Sequence, residues 1–246
     1  MSRGVRQFVV LGAGYDTFFA RQPEWAHSLK VFEIDQGATQ ADKLERIAAC
    51  RMSIPSNVTF GSVDFECESL EDGLRRHGVR LDVPTVFSWL GVTMYLKEPA
   101  IDAVLRTVVR FPAGSEIVLT FANKAMQPIT YNADLYGGMP GAARGAAQVI
   151  APVTVPPATP ADNPSAAAGS ATLAALAAAA GEPWHTYFEP AELDRKLHDL
   201  GFVNVEFLTP DLSAARYFAG REDGLPAPTR TSIVSTMTAA HRDALI

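Results

Sequence analysis

QFVVLGAGYDT, residues 7–17, is the stretch from which the rest of the chain can be read. Residues 7–11 form a short apolar run rich in branched side chains, as expected of a strand buried on both faces of a parallel sheet, and the run ends in Gly12-Ala13-Gly14. The two glycines remove side chains that would keep a ligand off the backbone, and the turn presents amide groups close to the next element. By itself such a turn can be purely structural.

Residues 30–34 (KVFEI) repeat the strand pattern. Between the two runs, residues 16–27 hold Asp16 and Thr17 as candidate caps, and Pro23 interrupts any long helix. The alternation then predicts helices over 36–50, 67–77 and 98–110, and strands over 58–63, 84–89 and 115–121. Five strands separated by helices imply a parallel open sheet, which binds ligands at the carboxyl ends of its strands. Residues 122–180 break the rhythm. Pro152, Pro156, Pro157, Pro160 and Pro164 keep 151–165 from any regular element, and the alanine-rich stretch 166–180 reads as a helix stopped by Gly181. This segment is expected as an insertion after the fifth strand, a substrate cap within a single domain spanning 1–246. A helix over 190–200 opens on Pro190 and places Leu193, Leu197 and Leu200 on one face. Strands over 202–207 and 231–237 complete the set. The expected fold is α/β: a doubly wound, Rossmann-like, seven-stranded and mostly parallel sheet.

With 246 residues, 48% of them hydrophobic, the chain can bury a sizeable core. A net charge of −6 and the lack of any Lys/Arg block argue against a nucleic-acid surface. Cys50 and Cys67 lie far apart and outside any CxxC pattern, so neither a disulfide framework nor a cysteine zinc site is indicated, and a reduced cytoplasmic setting is expected. The apolar stretch near Met1 runs into a glycine turn, not a cleavage site, and no run approaches the roughly 18 to 20 apolar residues of a membrane span. A soluble protein with no membrane partner follows as the expectation; oligomeric state is left open.

The ends of the expected strands carry the chemistry. FEID places Glu33 and Asp35 about 20 residues beyond the glycines, where a carboxylate can accept both hydroxyl hydrogens of a ribose. Asp64 and Phe65 follow the third strand; in an adenosine site the acid could accept from the adenine amino group while the ring is lined by Phe65. Asp64 can equally cap a helix. SWLGVTMYL (88–96) follows the fourth strand, where Gly91 would let the chain turn tightly beneath a ligand, and Val92, Met94 and Leu96 read as core. A dinucleotide fingerprint would need GxGxxG, but Thr17 stands where the third glycine belongs, which favours a mononucleoside-sized ligand. There is no GKS/GKT loop, no GxSxG elbow and no HExxH, and His27, His77, His185, His198 and His241 are scattered, so no metal site is expected.

These segments together resemble the leucine carboxyl methyltransferase-like family of S-adenosylmethionine-dependent methyltransferases. The resemblance rests on RQFVVLGAGYDT (6–17), VFEIDQ (31–36), VDF (63–65), SWLGVTMYL (88–96), GEPWHTYFEPAELDRKLHDLGF (181–202) and RYFAGREDGL (216–225). It implies a class I methyltransferase sheet with S-adenosylmethionine as cofactor. Gly12, Ala13 and Gly14, with Asp16 beside them, would line the donor's amino-acid part. Glu33 would hold the ribose with Asp35 nearby, Asp64 and Phe65 the adenine, and Ser88, Leu90 and Gly91 the floor near the sulfonium. Several members carry Glu-Gly where this chain has Leu90-Gly91, and Tyr95 matches a tyrosine common in the motif. Members also carry a helical N-terminal extension that covers the donor. Here the first strand starts within a few residues of Met1, so a chain lacking that extension is expected, with Arg3 and Arg6 at the wrong end of the strand to replace its basic residue.

Methyl transfer is an in-line displacement that depends on alignment and exclusion of water. A carboxylate acceptor needs no base, whereas a hydroxyl needs one, for which His185 and Tyr187 are the candidates. The resulting expectation is an O-methyltransferase acting on a small-molecule carboxylate or hydroxyl. Its rivals are a truncated, non-catalytic donor-binding paralogue and, less favoured, a nicotinamide-dependent oxidoreductase.

Overall fold

The computed structural model describes residues 4–124, 173–223 and 225–239. The proline-rich stretch 151–165, the first part of the alanine-rich helix, Arg3 and His241 lie outside the described residues.

Seven strands form one sheet: β1 (Gln7–Leu11), β2 (Lys30–Asp35), β3 (Val58–Ser62), β4 (Thr85–Trp89), β5 (Glu116–Thr120), β6 (Phe202–Phe207) and β7 (Ile233–Thr238). Their order is β3-β2-β1-β4-β5-β7-β6. The pairs β1–β2, β1–β4, β2–β3 and β4–β5 are parallel, whereas β7 runs antiparallel to both β5 and β6. The chain is thus a doubly wound, mostly parallel α/β sheet. Strand order reverses between β1 and β4, and in open sheets of this kind the crevice outside those two carboxyl ends is the ligand position.

The helices follow the periodicity. They are α1 (Gly37–Ala49), α2 (Leu70–Arg76), α3 (Glu98–Val108), α4 (Leu173–Ala179), α5 (Pro190–Asp199) and the short α6 (Pro210–Ser213), which runs into a π-helical turn at Ala214–Phe218. Proline opens α3, α5 and α6, where a missing N–H costs nothing. α5 buries Leu193 and Leu197 and stops at Gly201, whose φ of +97° suits a residue without a Cβ. One core carries α2, α3 and α5 against the sheet through Phe87, Trp89, Leu105, Ile117, Leu119 and Leu197. On the opposite face Val31 packs with Ala26 and Leu29.

Between β1 and β2 the chain makes two 3-10 turns, Phe18–Ala20 and Glu24–Ser28, in place of an α-helix. Pro23 separates them, and the Asn57 amide offsets the lost helical bonds by donating to Gln22 Oε1 at 2.8 Å and to the Leu29 carbonyl at 3.0 Å. In β6, Val203 pairs with Met237 but Glu206 pairs with Ser235. One extra residue is therefore accommodated as a bulge, with Asn204 at φ +54°.

The chain divides into two compact units, residues 1–126 with 184–246, and residues 127–183. The sheet lies in the first and α4 in the second. Among the described residues, no helix is long and apolar enough to cross a membrane, and no group of three or more His, Cys, Asp or Glu is placed to hold a metal ion.

Candidate functional site

The turn after β1 is built by its glycines. Gly12 and Gly14 have φ of +65° and +45°, in the left-handed region that side chains disfavour. A Cβ on Gly12 would come within 2.3 Å of Val92 Cγ2, so the β1 turn and the loop after β4 touch here at closest range. At Gly14 nothing stands within 4 Å of a Cβ position, which leaves space open over the backbone. The Gly12 N–H donates to the Ile34 carbonyl at 2.7 Å, and Gly14 N–H donates to Asp35 Oδ2. Asp16 Oδ1 accepts from Phe18 N–H at 2.6 Å, so Asp16 caps the first 3-10 turn.

Asp35, the last residue of β2, also accepts from Gln36 N–H at 2.7 Å. Each of its oxygens holds one backbone donor and keeps a second lone pair. Its carboxylate is the acid that the structure brings to the glycine turn. Glu33, two residues earlier on the same strand face, is placed differently. It is fully buried, paired to buried Lys43 of α1, and that ammonium lies 5.7 Å from the ring centroids of both Phe19 and Phe60. Burial pushes the Glu33 carboxyl above the usual range, with Lys43 opposing, and Glu33 Oε1 has no hydrogen-bond partner. The ribose role that the resemblance implies for Glu33 therefore finds its carboxylate enclosed behind the crossover and engaged with Lys43, while Asp35 stands at the strand end.

After β3, Asp64 is half-buried, and its Oδ1 accepts from Glu66 N–H at 2.9 Å. Phe65 is buried and meets Trp89 edge-to-face at 6.5 Å. A surface cavity of about 400 Å³ opens beside Phe65, toward Cys67 and Pro99. After β4, Leu90 is exposed, and Gly91 has φ +74° with open space where a Cβ would stand. Its N–H donates to Thr120 Oγ1 at 2.6 Å, and Thr93 Oγ1 donates to the Thr120 carbonyl at 2.7 Å. Thr120, at the end of β5, thus fixes the loop after β4. Ser88 lies within β4 and is half-buried. Met94 and Leu96 are buried, as their apolar character implies, whereas Tyr95 keeps 36% of its surface exposed.

His185 and Tyr187 reach the same edge through the backbone. His185 N–H donates to the Met94 carbonyl at 2.7 Å, Thr186 Oγ1 to the Leu96 carbonyl at 2.6 Å, and Phe188 N–H to the Ala122 carbonyl at 2.8 Å. The His185 side chain is exposed, and Tyr187 packs against Trp184 with ring centroids 6.0 Å apart.

Three features escape a reading of motifs. Tyr15 donates its hydroxyl to Asp42, and the Arg46 guanidinium lies 4.9 Å from the Tyr15 ring centroid, so α1 clamps the glycine turn from outside. The hydrogen bond to Asp42 raises the Tyr15 phenol, and the same bond, followed by that from Arg46, lowers the Asp42 carboxyl. Thr120 as anchor and Val92 as contact are the other two. The signal for the α1 residues was present: Asp42 and Arg46 stand four residues apart, the spacing of an acid–base pair on one helical face.

Residues 1–109 match the leucine carboxyl methyltransferase family. YktD of Bacillus subtilis (strain 168), which bears a provisional designation as an S-adenosyl-L-methionine-dependent methyltransferase, is 29% identical over 225 residues. That alignment takes in 91% of this chain and 62% of YktD. A similarly designated relative from Streptomyces avermitilis, SAV474, is 32% identical over 124 residues, 50% of this chain and 43% of the relative. The chain thus spans about three fifths or less of the length of these curated relatives. Among solved structures, a DUF574 family protein from Streptomyces avermitilis shares the fold with a TM-score of 0.57 and 15% identity, over 97% of this chain and 77% of that one. Residues 1–109, the part of the chain that resembles the leucine carboxyl methyltransferase family, carry every donor-side candidate named above.

Proposed function

We propose that the chain binds S-adenosylmethionine across the carboxyl ends of β1 to β4 and transfers its methyl group to an oxygen of a small molecule, a carboxylate or a hydroxyl. The observation that carries this reading is the pairing of the Gly14 amide with Asp35 across the carboxyl ends of β1 and β2, with β1 also bordering the β1–β4 position where strand order reverses. It joins a turn open to a ligand backbone-on with a carboxylate that retains free lone pairs. The fit is supported by the open space over Gly14 and Gly91.

When bound, the donor supplies an electrophilic methyl group on a sulfonium. The chain's own residues bind and align. Gly12, Ala13 and Gly14 admit the donor's amino-acid part, Asp35 accepts from the ribose hydroxyls, and Asp64 and Phe65 flank the base. The loop at Leu90-Gly91, fixed by Thr120, forms the floor, and His185 and Tyr187 are the candidates for accepting a hydroxyl proton. In this reading residues 1–246 form one methyltransferase domain, and 122–180 are a segment inserted within it.

Calorimetry with S-adenosylhomocysteine on the purified chain tests the donor site, and heat of binding that saturates at one equivalent is the expected result. No binding by either S-adenosylmethionine or S-adenosylhomocysteine would remove the reading. Binding without transfer to any carboxylate or hydroxyl in an acceptor panel would leave a donor-binding module and not an enzyme.

A further inference from the structure

The glycine turn is continued by a short, closely bonded segment. Asp16 N–H donates to the Ala13 carbonyl at 2.8 Å, which folds Asp16 back beside the turn, and Asp16 Oδ1 accepts from Phe18 N–H at 2.6 Å. The chain then enters the first 3-10 turn, at whose end Arg21 N–H donates to the Thr17 and Phe18 carbonyls, each at 3.2 Å. The Arg21 backbone is thereby fixed relative to the glycine turn. Its side chain reaches back along the segment: Nε donates to Thr17 Oγ1 at 3.0 Å, and Nη2 stands 3.5 Å from Asp16 Oδ1. A guanidinium has five N–H donors, and these contacts leave most of them unused. With the Arg21 side chain 65% exposed, the remaining donors are open to a ligand.

Asp16 and Arg21 thus set an anion and a cation side by side, two and seven residues beyond the open backbone at Gly14. The pair is loose. At 3.5 Å, in contact with solvent and with the same Asp16 oxygen already accepting from Phe18 N–H, it contributes little on its own and can exchange partners. The amino-acid part of S-adenosylmethionine is the matching zwitterion, an ammonium and a carboxylate on one carbon. A carboxylate fits the planar fork of a guanidinium, and an ammonium fits a carboxylate, so both exchanges form charge-assisted hydrogen bonds. Other cations near this half of the sheet are placed differently. Arg6 N–H donates to the Pro84 carbonyl ahead of β4, at the opposite end of the strands; Lys43 is buried with Glu33; and Arg46 lies over the Tyr15 ring, paired with Asp42.

We propose that Arg21 binds the donor's carboxylate while Asp16 takes its ammonium, an assignment that rests on the donor reading above. Arg21 is then a specificity-determining residue: the site selects nucleosides that carry an intact amino-acid end. The contact is made far from the methyl group and contributes to its alignment by fixing the other end of the donor.

The test is calorimetry on the full chain with three probes. S-Adenosylhomocysteine has the whole amino-acid end, decarboxylated S-adenosylmethionine keeps the ammonium but lacks the carboxylate, and 5′-methylthioadenosine lacks both. The parent chain should bind S-adenosylhomocysteine at least about tenfold more tightly than 5′-methylthioadenosine, a difference of about 1.4 kcal/mol. Arg21→Met should weaken S-adenosylhomocysteine by about tenfold, leave 5′-methylthioadenosine within about twofold and leave decarboxylated S-adenosylmethionine undiminished. Arg21→Lys, which keeps the charge but not the fork, should recover part of the loss. An equal loss for all three probes would show that Arg21 acts through the fold of the turn, and an unchanged affinity for S-adenosylhomocysteine would show that it makes no contact; either result overturns the assignment. Parent binding of 5′-methylthioadenosine as tight as that of S-adenosylhomocysteine also overturns it, while leaving the nucleoside site standing. Failure of the parent chain to bind any of the three removes the donor reading as well.

Discussion

An alanine at Gly12 would meet two obstacles at once: a backbone φ of +65° and a methyl group 2.3 Å from Val92. The left-handed conformation costs a side chain roughly 1–2 kcal/mol, and forcing a methyl into a packed contact adds about 1–3 kcal/mol. Gly12→Ala should therefore destabilise the protein by about 2–5 kcal/mol in urea denaturation. Adding Val92→Ala should restore only the contact part. If the double variant regained full stability, the backbone share of this account would be wrong. Asp35→Asn should weaken S-adenosylhomocysteine by about 10- to 100-fold, because charge-assisted hydrogen bonds are worth roughly 1.5–3 kcal/mol and the amide supplies one acceptor oxygen instead of two. Calorimetry measures it, and an unchanged affinity would exclude Asp35 from the ribose position. At this scale the sequence was informative about type but not about placement. Glu33 and Asp35 are both buried acids near one strand end, and only the packing of Phe19, Phe60 and Lys43 reveals that Glu33 is the one engaged with a cation.

The Glu33–Lys43 pair belongs to the scale of elements, since it ties β2 to α1 beneath the β1–β2 crossover. Removing one partner leaves an uncompensated buried charge, so Lys43→Met should cost about 3–5 kcal/mol, whereas replacing both by apolar residues of similar volume should be near neutral. Chemical denaturation of the two single variants and the double variant distinguishes these outcomes; equal losses in all three would show that packing and not charge is at stake. The pH dependence has a definite sign. Desolvation raises the folded pKa of Glu33 above its unfolded value of about 4.3, so its protonated form is the one favoured by folding. Its contribution is fully present below the unfolded value and is lost as pH rises through the folded one. Glu33→Gln should accordingly compare better with the parent chain as pH rises from about 4 to 7. A comparison that worsened over that range would contradict the raised pKa. Among elements, the strands and their order of appearance were legible, because five-residue apolar runs ending in glycine or acid have few alternative uses. The antiparallel course of β7 was not. Its alternation of half-buried and buried residues is the same in either direction, and only the position of β6 beyond it decides the pairing.

For the whole molecule, a ligand that binds only the folded state stabilises it by about 2.7 kcal/mol at a hundred times its dissociation constant. At this chain length S-adenosylhomocysteine should then raise the melting temperature by about 5–10 °C, and NAD or NADP should leave it unchanged. A shift with the nicotinamide cofactors alone would revive the dinucleotide reading that Thr17 argues against.

Among the described residues the seven-stranded sheet has two edge strands, and β6 is one of them. Its bulge at Val203–Glu206, with Asn204 in the left-handed region, breaks the regular ladder that another chain's strand would need for pairing. The same irregularity that costs β6 local order works against edge-to-edge growth, so straightening it by deleting Asn204 should show itself as light scattering in concentrated solution before it shows itself in activity.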